Sequence, residues 1–173
     1  MKTRKSFFAL TGPAAALLTT TAMASGKHAG GHDDEAIGKP GVAAKVARTI
    51  KVDMSDSMRF SPSNIAIRQG ETVRFVVTNS GKLAHEMVLG KEKELKEHYE
   101  IMKKNPEMEH ADANSVTVQP EKTGEIVWQF TKAGKVNFAC LHPGHYDAGM
   151  KGLVTVAGIK SSAKNDGHAE HKH

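Results

Sequence analysis

The sequence predicts an all-β protein: a Greek-key β-sandwich or barrel of seven or eight strands, with one inserted surface helix. Three observations carry that prediction. Apolar and polar residues alternate with a period of two through the central chain, turn-forming residues interrupt the alternation at short intervals, and one stretch switches to the helical period. Alternation places successive side chains on opposite faces of a strand, so one face can be buried while the other meets water.

The candidate strands span residues 46–54, 64–68, 71–79, 85–89, 115–118, 124–130, 134–140 and 152–156. Ser61-Pro62-Ser63, Gln69-Gly70, Ser80-Gly81, Pro120 and Lys132-Ala133-Gly134 fall between them as turns. Short strands with such punctuation characterise sandwiches and barrels. The exception is 91–104, KEKELKEHYEIMKK, where Leu95, Tyr99 and Met102 form one apolar stripe. Glu92 and Glu100 precede Lys96 and Lys104 by four residues, the favourable orientation for helical ion pairs. Asn105-Pro106 ends the pattern.

The two ends of the chain differ from this middle. Residues 1–24 have a basic start (Lys2, Arg4, Lys5), an apolar stretch from Phe7 to about Leu18, and Ala22-Met23-Ala24 as a cleavage motif. They read as a secretory signal, since Gly12 and Pro13 interrupt a run too short to span a bilayer comfortably. Residues 25–42 read as a flexible His- and Gly-containing lead-in, and 159–173 as a flexible His-rich tail. The domain is expected over 43–158, a normal size for one core. The mature protein is thus expected in a bacterial periplasm, with no membrane span after cleavage, as a monomer. Cleavage removes three cations and no acids, lowering the formal net charge from +5 to +2. With no stripe of interleaved Arg and aromatic residues either, nucleic acid is not an expected partner.

An exported protein with one cysteine has no internal disulfide, so Cys140 is expected to be a reactive thiol or a metal ligand. The eleven residues from Cys140 to Met150 also contain His142 and His145. A thiolate, two imidazoles and a weak thioether form the ligand set of a trigonal copper centre with a long axial Met. If His142 points elsewhere, the second imidazole is His85, which shares an apolar strand face with Leu83, Met87 and Leu89. Cys140 likewise continues the inward series Val136, Phe138. Zinc is disfavoured because structural zinc recruits four Cys or His ligands. Taken singly, a buried Cys, a core His and a gap-filling Met are ordinary; their joint spacing, Cys-x4-His-x4-Met after a strand, is what points to a metal.

The segment Phe138-Ala139-Cys140-Leu141-His142-Pro143-Gly144-His145, followed by Gly149-Met150-Lys151-Gly152, resembles the copper loop of cupredoxins, the type 1 copper proteins. It is most similar to the azurin and auracyanin branch, over roughly residues 45–157, and includes Phe60-Ser61-Pro62 and Gly70. The resemblance implies one copper per domain, with His85, Cys140 and His145 equatorial and Met150 axial. Two departures stand out. Glu86 occupies a position that is commonly Asn in the family, and His142 one that is usually apolar, leaving direct contact of either with copper open.

The implied activity is single-electron transfer between periplasmic redox partners, docking around His145 with Pro143, Tyr146 and Ala148. The protein is not expected to be an enzyme such as a copper nitrite reductase or oxidase. The only His-x-His pair, His171-Lys172-His173, lies in the tail. His28, His32, His168, His171 and His173 in the ends, with Met54, Met58, Met102, Met108, His98 and His110, resemble the His- and Met-bearing segments of periplasmic copper-tolerance cupredoxins. The alternative function is therefore a copper-resistance protein that sequesters copper or oxidises Cu(I), with extra copper ions on those segments.

Overall fold

The computed structural model describes residues 34–106 and 112–159. The signal, the first part of the lead-in, Met108, His110 and the C-terminal His residues therefore lie outside the described residues. The strands are β1 (Lys39–Pro40), β2 (Arg48–Ser55), β3 (Arg59–Ser61), β4 (Asn64–Arg68), β5 (Thr72–Asn79), β6 (His85–Gly90), β7 (Ser115–Val118), β8 (Thr123–Gln129), β9 (Gly134–Ala139) and β10 (Lys151–Ala157). A short helix α1 (Asp34–Ile37) precedes them, and α2 (Glu92–Lys104) lies between β6 and β7.

Two five-stranded sheets result, ordered β1-β8-β5-β2-β3 and β4-β10-β9-β6-β7. Their inner faces close over one core, built from Val52, Phe75, Val77, Ile126 and Trp128 of the first sheet and Met87, Leu89, Phe138, Val154 and Val156 of the second. This is the predicted sandwich, with differences at its margins. Ten strands are described instead of seven or eight. The additional β1 and β3 have two and three residues, too few to establish a period. Most pairings are antiparallel, but β2 pairs with β5 and β4 with β10 in parallel. Residues 37–41, assigned by the sequence to the lead-in, pack onto the first sheet. Ile37 is buried and its carbonyl accepts the indole N–H of Trp128 at 2.9 Å, while β1 pairs with β8.

Helix α2 buries the expected stripe, Leu95, Tyr99 and Met102. They form a second apolar cluster with Val88, Ala139, Leu141 and Tyr146 on the outer face of β6 and β9. Every residue of β6 is consequently buried, because the core covers one face and α2 the other. Leu83 does not share that burial. It lies before the strand and is exposed. Ion pairs along the helix join Lys91 to Glu94, Lys93 to Glu97 and Glu100 to Lys103, where the sequence suggested Glu92–Lys96 and Glu100–Lys104. Exposed pairs of this kind contribute little, so local rotamer choice decides among them.

Candidate metal centre

The register of the second sheet brings distant segments together. β6 runs antiparallel to β9 with Val88 opposite Ala139, and β9 runs antiparallel to β10 with Ala139 opposite Lys151. The start of β6, the end of β9 and the start of β10 therefore share one end of the sandwich. His85 opens β6, Cys140 directly follows β9, and Met150 directly precedes β10.

At that end the ligand atoms of His85, Cys140 and His145 all lie within 4.8 Å of one another. The Nδ1 atoms of His85 and His145 are 3.2 Å apart, and His145 Nδ1 is 3.3 Å from Cys140 Sγ. His85 and Cys140 are fully buried, whereas His145 is half-buried. Met150 is also fully buried beside them. Its carbonyl accepts the Cys140 N–H at 3.1 Å, and its N–H donates to the His145 carbonyl at 3.0 Å. Those bonds close the loop on itself, with Gly144 and Gly149 at positive φ where it reverses.

His142 and Glu86 do not join the converging group. The His142 ring lies 5.6 Å from that of His145, and its Nε2 is buried with no hydrogen-bond partner. Glu86 instead ties the two halves of the site together. Its backbone N–H points at Cys140 Sγ at 3.5 Å, and its Oε1 accepts the Leu141 N–H at 2.8 Å. Burial raises the Glu86 carboxyl above the ordinary carboxylate value, opposed by that N–H.

Three further groups were not legible in the sequence. Asp56, in the turn between β2 and β3, accepts from His85 Nε2 at 3.0 Å. Backbone N–H donation, chiefly from Lys82, holds its carboxyl below the usual range. Asn79 is fully buried, donates to the Leu83 and Val118 carbonyls, and accepts the Gly81 N–H, shaping the approach to His85. The Tyr99 hydroxyl accepts the Gly144 N–H at 2.9 Å and donates to Asp147 at 2.8 Å, so α2 grips the loop on either side of His145. Tyr146, expected at a docking surface, is buried and stacked on Tyr99, while Pro143 and Ala148 are exposed.

The donor set fits a soft cation. Without one, burial pushes the Cys140 thiol up to about 12 even though the N–H groups of Glu86 and His142 favour its thiolate. Burial, then the neighbouring His85 and His142, push His145 down to about 4, leaving a neutral imidazole with a lone pair to donate. A buried sulfur that needs a positive charge, beside a ready imidazole, suits copper chemistry.

Comparison with known proteins agrees. Residues 46–157 match the family described as copper binding proteins, plastocyanin/azurin family. The copper-resistant cuproprotein CopI of Rubrivivax gelatinosus is 52% identical over 151 residues, spanning 82% of this chain and 92% of that protein. CopI of Pseudomonas aeruginosa is 38% identical over 169 residues, spanning 81% and 90%. Among solved structures, auracyanin B superposes with a TM-score of 0.59 at 22% identity, covering 69% of this chain and 96% of that one. A dithionite-reduced auracyanin from Roseiflexus castenholzii gives 0.56 at 22% identity, covering 65% and 98%. These two share the fold. Matched over most of its sandwich, and with these donors gathered at one end, the chain belongs to the plastocyanin/azurin family of copper-binding proteins, and its cofactor is copper.

Proposed function

We propose that this chain is an exported type 1 copper protein of the periplasm, which transfers single electrons and serves copper resistance. In this reading His85, Cys140, His145 and Met150 would hold the copper. The convergence of three donors within 4.8 Å, from residues 55 or more positions apart in two cases, is the observation that carries it. Copper bound there would supply a one-electron couple between its cupric and cuprous states.

The chain's own groups fit that task. The Glu86 and His142 N–H groups direct their positive ends at Cys140 Sγ and steady a thiolate. Burial of His85, Cys140 and Met150 excludes water, and anchoring of the loop at Met150 and Gly144 limits movement between oxidation states. His145 alone of the four reaches partial exposure, beside exposed Pro143 and Gly144, which marks the route for an electron to a docked partner. Full burial of the other three donors supports the reading of a carrier.

Resistance is supported by relatives named copper-resistant cuproprotein CopI. The alternative, sequestration or Cu(I) oxidation with extra copper, depends largely on His residues of the chain ends. Among the described residues one group of three or more converging donors is found.

The test is copper loading of the mature chain with metal analysis, absorption and EPR. One copper per chain and an intense visible thiolate-to-copper band, lost in Cys140→Ser and His145→Ala, is expected. Wild-type spectra and copper content persisting in Cys140→Ser would end the reading; several tightly bound coppers would favour the alternative.

A further inference from the structure

The Asp56 carboxylate lies between the loop before β6 and the buried histidine. Asp56 Oδ2 accepts the Lys82 N–H at 2.7 Å, while Oδ1 accepts the Leu83 N–H at 3.2 Å and faces His85 Nε2 at 3.0 Å. The loop leading into β6 is wrapped around this one carboxylate. A Cβ at Gly81 would collide with Oδ1, so the approach requires glycine at that position. Ser80 adds a bond from its hydroxyl to Asp53 at 2.8 Å, fastening the same loop to β2.

Chemistry then sets the histidine's tautomer. An ionised carboxylate only accepts, so in neutral His85 the proton sits on Nε2 and the lone pair on Nδ1. Nδ1 is the atom 3.2 Å from His145 Nδ1, inside the group of converging donors. A neutral oxygen on Nε2 would orient the ring equally well. A carboxylate also places a fixed negative charge one imidazole away from the metal position and makes the ring a stronger donor.

We propose that Asp56 is a positioning residue for His85 that also sets the copper potential, its charge favouring the cupric over the cuprous state. The inference rests on His85 being a copper ligand. It predicts a site poised to give up its electron more readily than one with a neutral partner on the same ring.

The experiment compares copper-loaded wild-type mature chain with Asp56→Asn, which retains an oxygen for His85 Nε2 and removes the charge. Loss of a partner that orients a ligand and strengthens its donation lowers metal affinity by about 10- to 100-fold. A tenfold loss confined to the cupric state raises a one-electron potential by about 59 mV. Spectroelectrochemistry should therefore show the visible thiolate band retained and the Cu(II)/Cu(I) ratio at fixed poise lowered about tenfold. A purely structural Asp56 would lower unfolding stability but leave the ratio within about twofold of wild type, and that result overturns the proposal.

If Asp56→Asn does not fold, nitrogen-15 NMR of wild-type Cu(I) protein decides. A slowly exchanging proton on His85 Nε2 is expected; a proton on Nδ1, or a bare Nε2, refutes the proposed tautomer. Absence of the thiolate band from wild type itself would instead remove the copper-ligand reading, and this inference with it.

Discussion

Removing one oxygen from Tyr99 tests whether α2 holds the ligand loop in place. Tyr99 is 1% exposed, and its ring stacks on Tyr146 with centroids 5.0 Å apart. Tyr99→Phe keeps that packing and deletes the hydroxyl alone. The Gly144 N–H loses its acceptor, which costs on the order of 1 kcal/mol for a partly buried bond. The bond to Asp147 joins a charged partner, but Asp147 is exposed and water replaces the donor, so its loss adds about 1 kcal/mol at most. Tyr99→Phe should therefore destabilise the metal-free protein by about 2 kcal/mol, roughly a thirtyfold shift in the unfolding constant. Tyr99→Ala, which also empties the space of a ring, should cost about 3–5 kcal/mol. Urea unfolding followed by Trp128 fluorescence measures both, with a lowered midpoint and an unchanged slope. Faster copper release to a chelator should accompany Tyr99→Phe, since both lost bonds flank His145. A Tyr99→Phe variant as stable as wild type, or as unstable as Tyr99→Ala, would refute the clamp.

Glu86→Ala removes the carboxylate that accepts the Leu141 N–H and should cost about 1–3 kcal/mol, whereas Glu86→Gln keeps an oxygen there and should cost less; equal urea midpoints for the two variants would contradict this. Metal-free protein should lose stability as pH falls from 6.5 towards 4. The unfolded His145 takes up a proton near 6.5, while the folded one resists until about 4, so acid favours the unfolded chain across that window. Glu86, raised by burial, acts in the opposite sense, so the comparison is with His145→Gln, whose stability profile should be flatter over the same range. Gly152→Ala places a methyl group into the Phe138 ring beneath the start of β10 and should destabilise by about 1–3 kcal/mol or more. A thermal melt unchanged from wild type would show that Phe138 yields freely.

The sandwich was legible because its longer strands are amphipathic. β4 reads exposed-buried-exposed-buried-exposed along Asn64–Arg68, which alternation predicts. β6 is buried on both faces, and its pattern reveals only that His85, Met87 and Leu89 lie on a common side. That α2 would cover the other side, and so bury Glu86 and Val88, depends on a packing arrangement no local period encodes. Leu83 illustrates the reverse error, an apolar residue in the right phase whose strand had not yet begun. The Cys140–Met150 loop could be singled out because its donors are close in sequence. Asp56 could not: an Asp between two serines is the ordinary composition of a turn.

The order of residues alone determined which side of the amphipathic strands faces the core, where turns interrupt strands, and that a sulfur-and-imidazole loop follows the segment ending in Phe138 and Ala139. Side-chain alternation and turn preference act over a few residues, so a linear reading captures them. Tertiary structure decided what stands opposite what: His85 against His145, Asp56 against His85, Glu86 against Leu141, and Tyr99 against Gly144. Those contacts join positions 29 to 60 residues apart. They depend on sheet register and on one helix lying across the second sheet. Both are chosen by the burial of the whole core, and no short segment contains that information.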